Sequence, residues 1–318
     1  MINKLQFNDF ELSYTTEGKG SDILLLHGFP SNMYMWNDIK KDLIESGYRV
    51  TIVEQRGYPL SRLKNFNTKS FNIEELSKDI EELIKRVKLD NKLTIVGHDW
   101  GSIVAWAVIS REKININKLV SICGGTEFPT SNIYNNLSWG GKPHYITSFQ
   151  NVETSANLIN KNLETFFRSA YREIPKENIF TTQKDGVLIQ KMYSLNEGEN
   201  INLSLENVFM NFLTRKSAIN ESEITDLIKH FYDSSIDQPI AWYANIDLNA
   251  ELSSTWRKVV TTPVHFIFGE VDAAVKLNDN MRKRLISSGT NVKITEIPEA
   301  GHWLPFTHKE SVLREIYD

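Results

Sequence analysis

One stretch of the chain carries a carboxylate at the place where a nucleophile would be expected. An apolar, β-branched run leads into Gly-His-Asp-Trp-Gly at 97–101, and a helical apolar run begins at Ile103. This layout predicts a nucleophile elbow, in which a buried strand turns sharply into a helix. Gly97 and Gly101 leave room for the strained turn and for close approach of the strand and the helix. The candidate nucleophile is Asp99, at a position that serine more often occupies.

A carboxylate at this position limits the chemistry. With a reference pKa of about 3.9, aspartate is ionised at neutral pH and needs no base to activate it. It can attack a saturated carbon, displace a leaving group and form an alkyl ester on Asp99. Water can then attack the carboxyl carbon of the ester, which releases an alcohol and restores the carboxylate. Since serine would leave an ether that such a site cannot hydrolyse, Asp99 favours epoxides or alkyl halides over ordinary esters.

Two later loops could supply a base and its acidic partner. Asp272 follows the penultimate predicted strand and His302 follows the last one, which gives the chain order nucleophile, acid, base. We expect His302 to activate water, and Asp272 to orient the imidazole and stabilise its protonated form. Glu127 is a second candidate for the acid, because it follows the strand that ends at Cys123.

An oxyanion that forms on Asp99 needs hydrogen-bond donors. The turn His27-Gly28-Phe29-Pro30 follows the third predicted strand. The backbone N–H groups of Phe29 and of Trp100, the residue after the nucleophile, are the natural pair of donors. The sequence therefore predicts an oxyanion hole formed by Phe29 and Trp100.

Strand and helix patterns alternate on both sides of a long interruption. Short apolar runs and amphipathic segments alternate as far as residue 125 and resume at Val264, whereas most residues between them show helical patterns. Such alternation predicts an α/β fold with a mainly parallel central sheet flanked by helices. We expect residues 1–125 and 246–318 to form this core, and residues 126–245 to form a helical lid, the cap, inserted after about the sixth strand. The cap would cover the carboxyl ends of the strands, where open α/β sheets bind ligands.

Seven motifs together resemble the epoxide hydrolases of the α/β-hydrolase fold. They are HGFP at 27–30, RGY at 56–58, GHDWG at 97–101, GEVD at 269–272, GHW at 301–303, HYITSFQ at 144–150 and AWYAN at 241–245. The resemblance implies that Tyr145 and Tyr243 of the cap bind the epoxide oxygen and supply its proton. This role suits a phenol, whose reference pKa near 10 makes it a better donor to a developing alkoxide than water.

Three segments depart from the pattern of that family. Glu54-Gln55-Arg56-Gly57-Tyr58-Pro59 replaces the more usual Asp-x-Arg-Gly-Tyr-Gly, which changes a loop without touching the candidate triad. Gly124-Gly125-Thr126-Glu127 stands where many relatives have a Pro-His-Pro turn, so we expect the floor of the pocket to differ. Asp237-Gln238-Pro239 is also atypical, so the cap helix before Tyr243 could start differently.

Two other functions are alternatives to epoxide hydrolysis. A haloalkane dehalogenase also has an aspartate nucleophile followed by tryptophan, and the indole N–H of Trp100 could bind a halide. However, those enzymes usually have asparagine where this chain has Phe29, and they have no use for paired phenols. A non-catalytic ligand receptor that keeps the pocket of this fold is the second alternative. The complete set Asp99, Asp272 and His302 argues against it, since a receptor has no need for a triad.

The composition of the 318 residues sets limits on partners and location. The net charge is −4 with no basic stripe, which argues against nucleic acid as a partner. The single cysteine, Cys123, excludes an internal disulfide, and we see neither a signal-peptide h-region nor an apolar run of membrane length. We therefore expect a cytoplasmic protein, a monomer or a homodimer. It would act on a small apolar epoxide, because the cap is rich in aromatic residues, and would need no metal or cofactor.

Overall fold

The computed structural model is built around one eight-stranded sheet. It describes residues 1–90, 92–125, 131, 138–139, 142–143, 145–173, 180–184, 187–191, 216–272, 274, 277 and 279–318. The strands of the sheet, numbered along the chain, are β1 (Asn3–Gln6), β2 (Glu11–Gly18), β3 (Asp22–Leu26), β4 (Arg49–Glu54), β5 (Thr94–His98), β6 (Lys118–Ile122), β7 (Val264–Gly269) and β8 (Val292–Ile297). Their order across the sheet is β1-β2-β4-β3-β5-β6-β7-β8.

The central strands are buried along both faces, as their continuous apolar runs predict. From β4 to β8 all neighbours run parallel, whereas β1 and β2 form an antiparallel hairpin at one edge and β2 is antiparallel to β4. The register pairs Leu26 of β3 with Gly97 of β5, so these two strands end side by side. The turn at 27–30 and the elbow therefore emerge next to each other. The predicted mainly parallel sheet is confirmed.

Helices flank this sheet and form much of the cap. They are α1 (Asn37–Glu45), α2 (Ile73–Val87), α3 (Trp100–Arg111), α4 (Tyr145–Phe149), α5 (Val152–Lys161), α6 (Leu163–Ala170), α7 (Glu221–Tyr232), α8 (Asp237–Ala241), α9 (Ile246–Ser253), α10 (Asp279–Ser287), α11 (Leu304–Thr307) and α12 (Lys309–Tyr317). The side chain of Asn72 begins α2 by accepting the backbone N–H groups of Glu74 and Glu75 at 3.0 and 3.1 Å. None of the helices in the described ranges combines the length and the apolarity that a bilayer-spanning segment requires.

The segment between β6 and β7 contains the predicted helical insertion. Within it α5 packs against α8, and α6 packs against α7. The sequence predicted helices here, but the structure adds two short antiparallel pairs, Ser138–Trp139 with Lys142–Pro143 and Phe180–Lys184 with Val187–Lys191. In the sequence, Asp185-Gly186 stands between the two strands of the second pair, and Asp-Gly is typical of two-residue hairpin turns. The prediction of helices did not take this dipeptide into account. The insertion after the sixth strand is confirmed, while its boundaries at 126 and 245 stay a prediction.

The cap lies against the loops at the carboxyl ends of the strands. The indole N–H of Trp303, in the loop after β8, donates to the carbonyl oxygen of Ala170 at 2.9 Å. The indole N–H of Trp242 donates to the carbonyl oxygen of Arg56, in the loop after β4, at 3.1 Å. Both indoles are buried, so these contacts satisfy polar groups that would otherwise lose their hydrogen bonds to water. The cap therefore covers the edge of the sheet at which the candidate residues were predicted to lie.

Candidate active site

The elbow places Asp99 between β5 and α3 in a strained conformation. Its φ is 54° and its ψ is −121°, a region that residues other than glycine rarely adopt, at a cost of about 1–3 kcal/mol. The glycines make the close approach possible. A Cβ at Gly101 would lie 2.3 Å from the carbonyl oxygen of Leu26, and one at Gly97 would lie 2.5 Å from the backbone of Gly101. The carbonyl of Asp99 accepts the backbone N–H of Ser102 at 3.0 Å, which ties the turn to the first turn of α3.

The carboxylate of Asp99 lies against both predicted oxyanion donors. The backbone N–H of Phe29 donates to Oδ1 at 2.8 Å, and the backbone N–H of Trp100 donates to the same carboxylate. Gly28 leaves space for this contact, since a Cβ there would lie 2.5 Å from Oδ1 of Asp99. Burial raises the pKa of Asp99, although the charge of His302 and the two N–H groups oppose that rise. The carboxylate therefore already accepts hydrogen bonds from the two N–H groups that an oxyanion would need.

His302 and Asp272 form a hydrogen-bonded pair beside this carboxylate. Nδ1 of His302 lies 3.0 and 3.1 Å from the two carboxylate oxygens of Asp272, and its Nε2 lies 3.8 Å from Oδ2 of Asp99. Asp272 is fully buried and also accepts the backbone N–H of Ala274 at 2.7 Å. Burial acts to raise the pKa of Asp272, but the charge and hydrogen bond of His302 bring it below its usual value. The structure thus brings the three residues of the predicted triad together.

The two carboxylates control the protonation of the histidine. Burial acts to lower the pKa of His302, but the charge and hydrogen bond of Asp272, followed by the charge of Asp99, raise it to about 9. The imidazole therefore carries a proton at neutral pH in the resting protein. Because Asp272 occupies Nδ1, the ring nitrogen directed toward Asp99 is Nε2.

The cap brings Tyr243 next to the elbow. Tyr243 begins the 3-10 turn Tyr243–Asn245 that follows α8, and only 4% of its surface is exposed. The centroid of its ring lies 5.1 Å from that of Trp100 and 5.3 Å from that of Phe29, both edge to face. Burial, followed by the charge of Asp99, raises the pKa of Tyr243 well above its usual value, so the phenol keeps its proton.

The second predicted tyrosine lies beside the first. Tyr145 begins α4, and its ring centroid lies 6.1 Å from that of Tyr243. Phe149, one turn later on the same helix, contacts both rings, with centroid distances of 5.5 Å to Tyr145 and 5.1 Å to Tyr243. Phe29 joins the same group, with its ring centroid 5.8 Å from Phe149 and 5.9 Å from Phe166. The two phenols are therefore part of one aromatic cluster that includes Phe29 of the turn at 27–30.

Two residues that touch the triad were not among the sequence candidates. His98 is fully buried, and its Nε2 donates to the carbonyl oxygen of His302 at 2.9 Å. Burial lowers the pKa of His98 to about 3, so its ring is neutral. The buried thiol of Cys123 hydrogen-bonds to the carboxylate of Asp272. His98 lies within the GHDWG motif and Cys123 directly precedes Gly124, but their partners lie on distant loops.

Three of these side chains could reach a common metal ion. Ligand atoms of His98, Cys123 and His302 lie within 4.8 Å of one another. Two imidazoles and a thiol suit zinc or another soft divalent ion. However, the thiol of Cys123 already hydrogen-bonds to Asp272, so an ion bound to its thiolate would displace that contact. The chemistry open to Asp99 does not require one.

One sequence candidate falls on a part of the chain that the structure does not describe. Glu127, the alternative acid, lies outside the described residues, as do Tyr134, Phe209 and Phe212 of the cap. Asp272 is therefore the candidate acid whose contact with His302 can be stated.

Similar proteins agree with the fold and with the resemblance that the motifs indicated. The chain is 40% identical to the AB hydrolase superfamily protein YfhM of Bacillus subtilis (strain 168) over 124 residues, which cover 37% of this chain and 43% of that protein. It is 24% identical to epoxide hydrolase B of Mycobacterium tuberculosis, over 94% of this chain and 91% of that protein. The chain spans about half the length of several curated relatives.

A solved structure gives the same result for the fold. Potato (Solanum tuberosum) epoxide hydrolase I superimposes with a TM-score of 0.78 at 20% identity, over 100% of this chain and 98% of that chain. The resemblance to epoxide hydrolases is confirmed by these matches. A family model described as the alpha/beta hydrolase fold matches residues 23–309. Because that match covers most of the 318 residues, the chain belongs to the α/β-hydrolase family.

Proposed function

We propose that this protein hydrolyses an apolar epoxide to a vicinal diol through a covalent ester on Asp99. The observation that carries the proposal is an aspartate at the elbow, with Oδ1 accepting the backbone N–H of Phe29 and Oδ2 facing His302. Serine at this position would direct the same machinery to carboxylic esters, whereas a carboxylate can attack saturated carbon. The names of two relatives, both epoxide hydrolases, support the substrate class.

In the first step, Oδ2 of Asp99 attacks a carbon of the epoxide and the carbon–oxygen bond breaks. The electron pair of that bond stays on the epoxide oxygen, which takes a proton from Tyr243 or Tyr145. Ester formation removes the charge of Asp99, one of the charges that raise the pKa of His302. The pKa of His302 consequently falls, and its proton neutralises the phenolate. The imidazole is then free to act as a base.

In the second step, neutral His302 takes a proton from water, whose oxygen attacks Cγ of Asp99. Negative charge develops on Oδ1, to which the N–H of Phe29 already donates, and the N–H of Trp100 donates to the same carboxylate. Collapse of this intermediate expels the diol oxygen, which takes the proton from His302. The carboxylic acid left on Asp99 returns a proton to His302 and restores the resting pair. Asp272 holds Nδ1 and stabilises the imidazolium whenever it forms.

The surroundings of the nucleophile favour an apolar substrate. The rings of Phe29, Phe149 and Phe166 are buried; Phe29 and Phe149 contact the phenol rings, and Phe166 packs on Phe29. Polar groups in such pockets are few and fix the orientation of the ligand, while the hydrocarbon surface supplies most of the burial. We infer that Tyr145 and Tyr243 hold the epoxide oxygen while the aromatic cluster holds its substituents.

The variant His302→Gln tests the covalent step. Without the base, ester hydrolysis should slow by about 10³-fold or more while ester formation continues. Intact-protein mass spectrometry after incubation with styrene oxide should then show an adduct with the mass of the epoxide, and peptide mapping should place it on Asp99. The double variant Asp99→Asn/His302→Gln is the matched control and should stay unmodified.

Two outcomes would count against the proposal. An unmodified Asp99 across a panel of structurally varied epoxides would exclude the covalent step. Release of bromide from a bromoalkane by the wild type, faster than diol formation from any epoxide, would favour the dehalogenase alternative.

A further inference from the structure

Glu54, one of the residues that depart from the family pattern, joins the cap to the loop that carries the oxyanion donor. It ends β4, and its side chain is fully buried. Its Oε2 accepts the backbone N–H of Met33 at 2.9 Å, and its Oε1 accepts Nε2–H of His230 at 2.5 Å. Met33 follows the turn at 27–30 in the core, whereas His230 lies on α7 of the cap. One carboxylate therefore contacts both parts of the protein.

The last residue of β4 and the loop after it hold the turn at 27–30 on both sides. The backbone N–H of Gln55 donates to Nε2 of His27 at 3.0 Å, and the side-chain amide of Gln55 donates to the carbonyl of His27. The hydroxyl of Tyr58 donates to the carbonyl oxygen of Gly28 at 3.3 Å. These contacts fix the start of the turn, and the contact of Glu54 with the backbone N–H of Met33 fixes the chain three residues after the turn.

The donor Phe29 lies between those two fixed points. Its N–H reaches Oδ1 of Asp99 at 2.8 Å, so a small shift of the turn would lengthen the contact that stabilises an oxyanion. The backbone N–H of Ser31 donates to the carbonyl of Gly28 at 3.0 Å, which keeps the turn compact. The position of Phe29 therefore depends on contacts that lie outside the turn itself.

The buried carboxylate makes the contact with the cap strong. Burial acts to raise the pKa of Glu54, but His230 and His27 hold it below its usual value, so the group stays ionised. If the carboxylate of Glu54 loses one of its two partners, its buried charge still bears the cost of having left water, with fewer contacts to offset it. The carboxylate can then shift toward a new partner, and the backbone that it binds at Met33 can shift with it. The rings of Tyr34 and Phe231 pack edge to face on the imidazole of His230, which further fixes its position.

We propose that Glu54 and His230 are positioning residues that couple docking of the cap to the placement of the Phe29 N–H in the oxyanion hole. This inference rests on the proposed function, because it concerns the hydrolysis of the ester on Asp99. Loss of the contact should slow hydrolysis of the ester more than its formation, since the oxyanion develops only during hydrolysis. The ester then accumulates, and kcat and KM for the epoxide should fall together.

The test uses three variants and the epoxide that the wild type hydrolyses fastest in a panel that includes styrene oxide. His230→Leu removes the donor, whereas His230→Gln retains an amide N–H that can still reach Glu54. Asp237→Asn is the matched control. It removes the charge from another contact between cap and core, the 2.9 Å ion pair with Arg62, which does not touch the turn. Rapid quenching followed by mass spectrometry measures ester formation and ester hydrolysis separately.

We expect His230→Leu to slow ester hydrolysis about tenfold. This loss is smaller than the roughly 10²- to 10³-fold loss of rate that follows removal of an oxyanion donor itself. Ester formation should change less than threefold. His230→Gln should restore most of the hydrolysis rate, and Asp237→Asn should lower the Tm without changing either step. If His230→Leu does not fold, Glu54→Asp, which shortens the reach of the carboxylate by one methylene, should show the same selective loss.

The failures of the two proposals can be told apart. If His230→Leu hydrolyses the ester at the wild-type rate, the inference alone is overturned. An equal loss of hydrolysis rate in Asp237→Asn would also overturn it, because cap docking in general would then explain the loss. A wild type that forms no ester with any epoxide would overturn the proposed function and this inference with it.

Discussion

The two halves of the candidate site are built in different ways. The core half consists of groups that lie within a few residues of a strand end, so that their placement follows largely from the sheet: Asp99 follows β5 directly, Phe29 follows β3, and Asp272 follows β7. The cap half consists of Tyr145 and Tyr243, which are fixed by edge-to-face contacts with other aromatic rings. Backbone placement tolerates little displacement, whereas ring packing can adjust. Substitutions in the core half should therefore cost more than substitutions in the cap half.

The largest expected effect concerns the acid of the triad. Asp272→Asn should slow ester hydrolysis about 10³- to 10⁴-fold, because the amide cannot stabilise the imidazolium and can favour the wrong tautomer of His302. Glu127→Gln should leave hydrolysis near the wild-type rate. Single-turnover measurement of ester decay in both variants compares the two candidate acids. A greater loss in Glu127→Gln than in Asp272→Asn would reverse the assignment.

A smaller effect is expected from the phenols of the cap. Tyr243→Phe and Tyr145→Phe should each slow ester formation about 10- to 10²-fold, because one phenol can partly replace the other as proton donor. The double variant should lose more than either single variant, with ester hydrolysis little changed. Rates of ester formation measured by rapid quenching check this order. Equal losses in both steps would indicate that the tyrosines shape the cap rather than donate a proton.

The same difference explains how much of the site could be predicted from the sequence. The elbow, the oxyanion turn and the two later loops were predictable because each functional residue belongs to a short motif at the end of an apolar run. Tyr145 and Tyr243 came from resemblance, since a tyrosine in a helical segment carries no local sign of its partner.

For two other residues of the site, nothing in the local sequence indicated their partners. His98 donates to the carbonyl of His302, and Glu54 accepts from His230, across long stretches of sequence. Periodicity indicates only that such residues are buried, and their partners are set by the way distant loops pack. The Glu54-Gln55 departure from the family pattern was the visible sign, but it gave no hint that α7 would cover it.

The smallest expected effect is a change in the titration of His302. Asp272 and Asp99 raise its pKa to about 9 against the opposing effect of burial, so the imidazolium persists through neutral pH and is lost as the pH rises through 9. NMR of the labelled imidazole should show this titration in the wild type. Asp99→Asn should lower the pKa, and Asp272→Asn should lower it further, because Asp272 contributes both a charge and a hydrogen bond.

The same shift predicts the pH dependence of ester hydrolysis. Formation of the ester removes the charge of Asp99, so the pKa of His302 in the ester must be lower than in the free protein. The rate of ester decay should therefore rise with pH as the imidazole becomes neutral, and the pH of half-maximal rate should lie below the pKa of about 9 in the free protein. A half-maximal rate at or above pH 9 would mean that the charge of Asp99 contributes nothing to the pKa of His302. The base would then have to lose its proton by some route other than neutralisation of the nucleophile.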